Sequence, residues 1–342
     1  MSEQDQALVY LVPSLDVCWA NFAPMRPHRN FIADPPPVAQ CADELGRVVA
    51  ELGPFLEGQY VLAVHTGTYN RDAFYQEPFL EHYRSAVAQG AGIAIHPHEE
   101  IRAKGTGHIT EPYMRQMIRA RKDQLLAGGV TPTAYKGGHF AYPAWLTRIL
   151  DEEGLHVDFS AAPGYSEPRC DANWIGVAPG GGYLSFEDPT WPEGRGTPSR
   201  VLEMPLGNDG GGAVEEVNTL YNEKTDLANL LRVWDAIVAQ ARAARRPFFV
   251  HYLFHNTSIA EERWLDQFRR LIDHARGDAG MIVSPLAAKQ AYDRLALAEV
   301  NDLEIAPSQE RDFIVRTKAI HELMRVLSDD GQVTVSLSQN MV

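Results

Sequence analysis

The sequence has few of the features that mark secreted, membrane or nucleic-acid-binding proteins. Its 342 residues include 3 cysteines, none of them in a C-x-x-C pair, which excludes a disulfide framework. Acidic residues outnumber basic ones by 45 to 31, and the net charge of −14 argues against binding to a phosphate backbone. No apolar run approaches the roughly 18 residues needed to span a bilayer. We therefore expect no nucleic-acid partner and no membrane partner.

No signal peptide is expected from the first residues of the sequence. The segment MSEQDQALVYLVPSLDVCW has no basic stretch followed by a long apolar run, so no signal peptide is expected. Hydrophobic residues at 45% and charged residues at 22% are ordinary for a globular protein. The expectation is a cytoplasmic protein. The sequence leaves open whether the chain forms a homo-oligomer.

Short apolar runs alternate with longer helical patterns along most of the chain. Runs such as ALVYLVPSLDV, QYVLAVHTG and AGIAIHPH predict strands, and a segment with helical spacing usually follows. We count about eight strands in this rhythm, which is typical of an α/β fold with a mostly parallel sheet. One long helix is predicted from about Val214 to Arg242.

Residues 162–200 interrupt this rhythm with a segment dense in glycine, proline and aromatic residues. A loop of this length is uncommon inside a compact domain and is often functional, so we interpret it as an insertion. Its Trp174, Tyr183 and Trp191 either form a wall of a substrate pocket or only hold the loop in place. We expect one catalytic domain over residues 1–300, with residues 301–342 as a C-terminal extension packed on it.

Reactive side chains occur where the predicted strands end, which is where α/β folds collect their chemistry. In IHPHEE, His96 and His98 share one face of a strand, and Glu100 is the next position on that face. Imidazole and carboxylate ligands suit zinc, iron, cobalt or nickel. The alternative is a solvated loop of ordinary polar residues.

Two further strand ends carry candidates for acid–base chemistry. In SLDVCW, Asp16 has the position of a general base, because a hydrolase needs a carboxylate beside the attacking water. Cys18 is either a thiolate ligand or a small buried hydrophobe. In FFVHYLFHN, His255 falls at the strand end, where it could protonate a leaving amine or stabilise an oxyanion. His251 is expected to be a core histidine.

The string YKGGHFAY is a fourth candidate for a functional segment. Two glycines, including Gly138, permit close approach of the backbone to a ligand. Lys136 beside them either orients a carboxylate or phosphate or is a surface lysine. His65, His108 and His139 are expected to be structural or exposed.

Taken in order, these strings resemble the polysaccharide deacetylase (NodB-like, carbohydrate esterase family four) superfamily. AQGAGIAIHPHEE is similar to its metal-binding motif, SLDVCW to its first aspartate motif, and RVLEMPLG to its Leu-Glu-x-Pro strand. The resemblance spans about Val9 to Leu295 and implies a distorted (β/α) barrel of about 7–8 strands. It also implies Asp16 as general base, His255 as general acid, and His96 and Glu100 at the two metal-histidine positions.

The resemblance implies metal-dependent removal of an N-acetyl or N-formyl group from an amino sugar or a similar small intracellular metabolite. The expected cofactor is a divalent metal ion, zinc first, with cobalt, nickel or iron as alternatives. Glu100 stands where the family has a histidine, so His98 or Cys18 are alternative ligands to complete a site on His96. Lys136 replaces the usual arginine, and Lys136, Gly138 and Trp174 are the predicted substrate contacts.

The rival hypothesis is a relative without metal. It would be a binding protein or an enzyme of another class that uses Asp16 and His255 as an acid–base pair.

Overall fold

Strands and helices alternate along the part of the chain that the structure describes. The structure is a computed structural model, and it describes residues 8–18, 38–67, 71–98, 110–191, 193, 195–211 and 218–301. The strands are β1 (Val9–Val17), β2 (Val61–Gly67), β3 (Gly92–His98), β4 (Ala134–Tyr135), β5 (Val157–Asp158), β6 (Ser166–Glu167), β7 (Ala172–Asn173), β8 (Gly182–Ser185), β9 (Pro198–Glu203), β10 (Phe248–His255) and β11 (Gly280–Ile282). The helices are α1 (Val38–Arg47), α2 (Gly53–Phe55), α3 (Phe79–Gln89), α4 (Glu111–Ala127), α5 (Leu146–Glu153), α6 (Leu227–Ala244), α7 (Glu262–Gly277) and α8 (Pro285–Asn301).

Local capping chemistry sets several helix ends. Thr110 caps α4 by accepting a hydrogen bond from the N–H of Tyr113 at 3.3 Å. Gly90 ends α3 in the left-handed conformation (φ 111°), which favours glycine.

No helix among the described residues has the length and apolar character needed to cross a membrane.

Nine strands form one sheet in the order β10-β1-β2-β3-β4-β5-β9-β8, with β11 paired to β1. The pairs are parallel except for β8 with β9. After β9 the chain returns to β10, where the N–H of His251 donates to Pro205 O at 2.9 Å and the N–H of Gly207 donates to His251 O at 3.0 Å. The sheet is therefore curled into a distorted (β/α) barrel, which confirms the predicted fold class.

The two faces of the sheet bury different side chains because neighbouring strand residues point in opposite directions. On β1, Leu11 and Leu15 pack in the outer core with the helices, whereas Tyr10 and Val12 belong to the inner core of the barrel. Helix α8 supplies Ala288, Ala291 and Tyr292 to the inner core. These residues pack near the start of β1, so α8 fills the end of the barrel opposite to the carboxyl ends of the strands.

The structure corrects two of the predicted elements. The helix predicted from about Val214 begins only at Leu227, where Asp226 accepts a hydrogen bond from the N–H of Asn229 at 2.9 Å as its N-cap. A 3-10 turn, Asn222–Lys224, lies in the segment before it.

The 162–200 segment is also more than an excursion. It contributes β8 to the sheet, and Tyr183 of that strand packs edge-on against Tyr292 with ring centroids 5.1 Å apart. Residues 302–342, which hold nearly all of the predicted extension, lie outside the described residues.

Candidate active site

Strand register brings polar side chains together on the inner face of the barrel. Asp16 on β1 pairs with His255 on β10, and His65 on β2 pairs with His96 on β3. Because paired residues of parallel strands share a face, and residues i and i+2 also share it, these side chains and His98 all face inward. They lie at the carboxyl ends of their strands. We call the following group the mouth cluster: Asp16, His65, His96, His98, Lys136 and His255.

A buried ion pair lies within the mouth cluster. Lys136 Nζ is 2.6 Å from Asp16 Oδ1, and the two side chains are only 2% and 5% exposed. Lys136 follows β4, so its side chain crosses the barrel interior to reach β1, three strands away in the sheet. Small side chains leave room for this crossing. The register neighbours along β2, β3 and β4 at the level of Asp16 are Ala63, Ala94 and Ala134.

The electrostatics of this pair favour the ionised form of Asp16. Burial alone would raise the pKa of Asp16, but the Lys136 ammonium and the His96 and His255 imidazoles outweigh it and hold that pKa well below its usual range. Burial lowers the pKa of Lys136 and of His96, while the Asp16 carboxylate opposes both shifts. Asp16 is thus a carboxylate at neutral pH, able to accept a proton or to face a cation.

His255 lies against a glutamate, Glu223, that the sequence pattern did not indicate. Its Nδ1 lies 3.3 Å from Glu223 Oε1, and its backbone N–H donates to the same oxygen at 2.8 Å. Its Nε2, on the far side of the ring, lies 3.8 Å from Asp16 Oδ2. The Glu223 side chain is fully buried. Glu223 went unnoticed because it falls in the segment that was predicted to be helix, although the capping pattern at Asp226 marks where the helix begins.

His96 has one ring nitrogen engaged and one that points at a carboxylate. Its Nδ1 is 2.7 Å from Lys136 O, and because a carbonyl only accepts, Nδ1 carries the proton. Its Nε2 lies 3.2 Å from Asp16 Oδ2, yet makes no hydrogen bond within the described part of the chain. A lone pair facing a carboxylate oxygen at this distance is satisfied either by a proton on Nε2 or by a cation beside the two atoms. The residues present therefore fit a divalent metal ion, although their placement does not identify it.

The placement of the other predicted ligands is mixed. His98 lies beside His96, with ring centroids 4.7 Å apart. The backbone N–H of Cys18 donates to Asn256 Oδ1 at 3.0 Å, and Cys41 Sγ donates to Cys18 O at 3.3 Å, so Cys18 helps join the ends of β1 and β10. Glu100 lies outside the described residues. The roles of Cys18 and Glu100 as ligands stay predictions.

His65, which was expected to be structural or exposed, belongs to the mouth cluster. One ligand atom from each of His65, His96 and His98 lies within 4.8 Å of the others. The signal in the sequence was the string VHTG at the end of β2, since it places a histidine at a strand end like those of β3 and β10. Its register with His96 was needed to see that the two rings meet.

The turn after β4 packs directly on the mouth cluster. A Cβ at Gly138 would lie 2.2 Å from Pro97 O and 2.8 Å from the His98 ring, so only glycine fits here without displacement. The next two residues, His139 and Phe140, have positive φ of 50° and 61°. Trp174 is fully buried, and its Nε1 donates to Phe140 O at 2.7 Å. This placement favours a role for Trp174 in holding the loop, and substrate contact by Gly138 or Trp174 stays a prediction.

A second buried acidic group lies on the outer face of the same sheet. Asp158 on β5 pairs in register with Glu203 on β9, and both are almost fully buried. Ser160 Oγ donates to Asp158 Oδ1 at 2.6 Å and accepts the N–H of Gly137 at 2.7 Å. Burial raises the pKa of Asp158 to about 6 and, together with the neighbouring Asp158 carboxyl, raises the pKa of Glu203 well above its usual range. The pair therefore retains a proton where ordinary carboxyls have lost theirs.

Comparison with known proteins places this geometry in a known fold. No protein-family profile matches the sequence, and no curated protein matches it. A protein assigned as a polysaccharide deacetylase from Mycobacterium smegmatis has a TM-score of 0.55 at 15% identity, over 92% of this chain and 98% of that one. Puue allantoinase has a TM-score of 0.55 at 15% identity, over 85% of this chain and 92% of the allantoinase chain. A protein assigned as a polysaccharide deacetylase from Pseudomonas aeruginosa PAO1 has a TM-score of 0.51 at 16% identity, over 84% of this chain and 92% of that one.

These likenesses show that the chain has the NodB-like fold of the polysaccharide deacetylases, which allantoinase shares. The resemblance seen in the sequence motifs is thereby supported at the level of fold. The mouth cluster lies at the carboxyl ends of the strands, the end at which α/β barrels carry their active sites.

Proposed function

We propose that this chain is a metal-dependent hydrolase that removes an N-acyl group, acetyl or formyl, from an amino sugar or a similar small metabolite. One observation carries the proposal. Asp16, His96, Lys136 and His255 converge from four separate segments of the chain at the strand ends of a fold whose solved examples include polysaccharide deacetylases and an allantoinase. A divalent ion bound there, with His96 Nε2 as one ligand, supplies Lewis acidity to a carbonyl group and acidifies a water molecule.

The chain's own residues supply the proton transfers. Asp16 Oδ2 accepts the proton of the attacking water, because Lys136 holds the other oxygen and keeps the carboxylate ionised. His255 Nε2 faces the same space and donates a proton to the departing nitrogen. Glu223 lies on the Nδ1 side of the His255 ring, with its Oε1 3.3 Å from that nitrogen. The two proton-transfer groups are thus adjacent but held by different partners.

The proposal is tested with purified protein and a panel of N-acetyl and N-formyl amino sugars, with allantoin as a cyclic amide for comparison. Formation of the free amino sugar with acetate or formate, and of the ring-opened acid from allantoin, is measured with and without added Zn²⁺ after removal of metal by a chelator. We expect turnover of at least one N-acyl compound, lost on chelation and restored by metal. Asp16→Asn and His255→Ala should each lower kcat/KM by about 10²–10⁴-fold.

A matched control is Glu153→Gln, which alters a buried carboxylate far from the mouth, paired with Arg119 at 2.7 Å. It should leave kcat/KM unchanged. Turnover that survives chelation in full would overturn metal dependence and favour the rival acid–base enzyme. No turnover of any amide in the panel by metal-loaded protein would contradict the proposed activity.

A further inference from the structure

We propose that the metal site of this chain is a three-histidine site made by His65, His96 and His98, with His65 of β2 as a ligand that the family resemblance does not provide. The proposal rests on the metal dependence of the proposed function. The three-histidine proposal goes beyond the proposed function because it assigns the complete set of protein ligands to the metal ion. The resemblance instead draws ligands from the segments around β1 and β3.

Strand register places the three rings together without any special loop. His65 and His96 are direct partners across the β2–β3 pair, and His98 follows His96 by two residues on the same face. The ring centroids of His65 lie 4.3 Å from those of both His96 and His98, and those of His96 and His98 lie 4.7 Å apart. One ligand atom from each residue falls within 4.8 Å of the others, and the rings of His65 and His98 are stacked. The rings must rotate to bring their nitrogens to the roughly 3.4 Å separation that tetrahedral zinc coordination requires.

The hydrogen bond of His96 is of the kind that a metal-ligating histidine makes. Such histidines donate the proton of the second ring nitrogen to a carbonyl or carboxylate, which fixes the ring and its tautomer. Here Nδ1 donates to Lys136 O at 2.7 Å and leaves Nε2 as the ligand atom. The ring is 2% exposed, so Nε2 has little access to bulk water.

The turn after β4 holds His98 in place from the other side. Gly138 packs against the His98 ring so closely that a Cβ would lie 2.8 Å from it. The ring of His139 approaches His98 from the exposed side, with centroids 5.1 Å apart. His98 is therefore packed between His65, His96 and the turn, which limits how far its ring can move from the other two.

The donor set predicts which ions bind. Three neutral imidazoles select borderline metal ions such as Zn²⁺, Co²⁺ or Ni²⁺, whereas Mg²⁺ and Ca²⁺ prefer oxygen donors. Asp16, whose Oδ2 is 3.2 Å from His96 Nε2, is the anion beside the site. A three-protein-ligand set also leaves a coordination position open for a substrate, as catalytic zinc sites do.

The test measures metal binding directly and needs no substrate. Metal-free protein is titrated with Zn²⁺ by calorimetry and with Co²⁺ by visible absorption. We expect one equivalent to bind to the wild type, and His65→Ala or His98→Ala to weaken Zn²⁺ binding by about 100-fold or more, beyond the loss usual for an outer hydrogen-bond partner. His82→Ala, on helix α3 outside the barrel, is the matched control and should bind as the wild type does.

Two further measurements keep the result decisive. Unfolding curves of the metal-free variants show whether they fold, and His65→Asn, which keeps a polar side chain at the position, replaces any His65→Ala protein that does not. Cys18→Ser should bind Zn²⁺ unchanged, and the Co²⁺ spectrum should lack a thiolate charge-transfer band. Wild-type affinity in a folded His65 variant, or loss of binding in Cys18→Ser, would overturn the proposal.

The outcomes separate this inference from the proposed activity. Metal binding through His65 without hydrolysis of any amide supports the site and contradicts the activity. Metal-dependent hydrolysis that persists with full metal binding in the His65 variants supports the activity and overturns the site. A wild type that binds neither Zn²⁺ nor Co²⁺ overturns both the site and the metal dependence.

Discussion

The inner and outer faces of the same sheet each bury charged residues, and the two groups are stabilised in opposite ways. In the mouth cluster, Asp16 is surrounded by an ammonium and two imidazoles, so it stays ionised. On the outer face, the Asp158 and Glu203 carboxyls face one another with the phenol of Tyr142 nearby, and burial raises the pKa of all three groups. Burial thus leaves a carboxylate ionised where cations surround it, and favours the protonated form where the neighbours are other acidic groups.

The two groups are nevertheless linked through the backbone. Ser160 joins Asp158 to the N–H of Gly137, and Gly137 follows the lysine that pairs with Asp16. The protonated outer pair thus supports the end of β4, from which Lys136 crosses the barrel. The outer face acts as scaffold for the inner one.

The largest expected effect comes from breaking the ion pair of the mouth cluster. Lys136→Met leaves a buried carboxylate without its main cation and should lower the free energy of unfolding by about 3–5 kcal/mol. Adding Asp16→Asn in the same chain should recover most of this loss, because the uncompensated charge is then gone. Urea denaturation of the single and double variants measures both effects. Arg47→Met, which removes one side of an exposed pair with Glu51, is the control and should cost under about 1 kcal/mol.

The outer pair should make stability depend on pH. The pKa of Asp158 is about 6 in the folded chain, above that of an ordinary aspartate, so the native state binds more protons than the unfolded state between about pH 4 and 6. The free energy of unfolding should therefore fall by about 2–3 kcal/mol as pH rises through this window, and over a wider range if Glu203 also releases its proton. Glu203→Gln should flatten this slope, whereas Glu153→Gln should keep it. Equal slopes in wild type and Glu203→Gln would show that the carboxyls do not share a proton.

A smaller effect is expected where the turn meets the mouth cluster. Gly138→Ala inserts a Cβ 2.2 Å from Pro97 O, so the turn must shift, at a cost of about 1–3 kcal/mol in unfolding free energy. The shift of the turn should also weaken Zn²⁺ binding, since the His98 ring packs against Gly138. Gly154→Ala, at a left-handed helix end with open space around it, is strained but remote, so it should lower stability while Zn²⁺ affinity stays unchanged. Unchanged Zn²⁺ affinity in Gly138→Ala would mean that the turn does not position His98.

The smallest expected effect concerns the orientation of His255. Glu223→Gln keeps the shape of the side chain but removes its charge, and we expect kcat to fall about tenfold with little change in KM. Lys224→Met, in the same turn, is the control and should leave kcat unchanged. A wild-type kcat in Glu223→Gln would show that the His255 ring needs no carboxylate partner.

Much of the fold and part of the site could be predicted from the sequence. Strand-end positions indicated that Asp16, His96 and His255 would meet, because parallel strands deliver their carboxyl ends to one edge. For Lys136 the sequence left a surface position equally open, and only the structure shows its buried contact with Asp16. His65 was missed because only the register of β2 with β3 brings its ring to His96. Glu223 was missed because the residues before Asp226 carry a helix-like pattern, while bridges from Thr219 and Tyr221 hold that segment extended instead. Both errors concern contacts between segments, which local pattern does not encode.

The lysine that crosses the barrel also bears on how the protein folds. The Lys136–Asp16 ion pair joins residues 120 apart in the sequence. The hydrogen bond from the backbone N–H of Cys18 to the Asn256 side chain joins residues 238 apart. Contacts of such separation require the closure of long loops, whose entropy must be overcome before the contact can stabilise anything. We expect these contacts to be absent from the folding transition state. During synthesis, the mouth cluster cannot be complete until β10, which carries His255, has paired with β1. The reactive centre would then be the last part of the molecule to form.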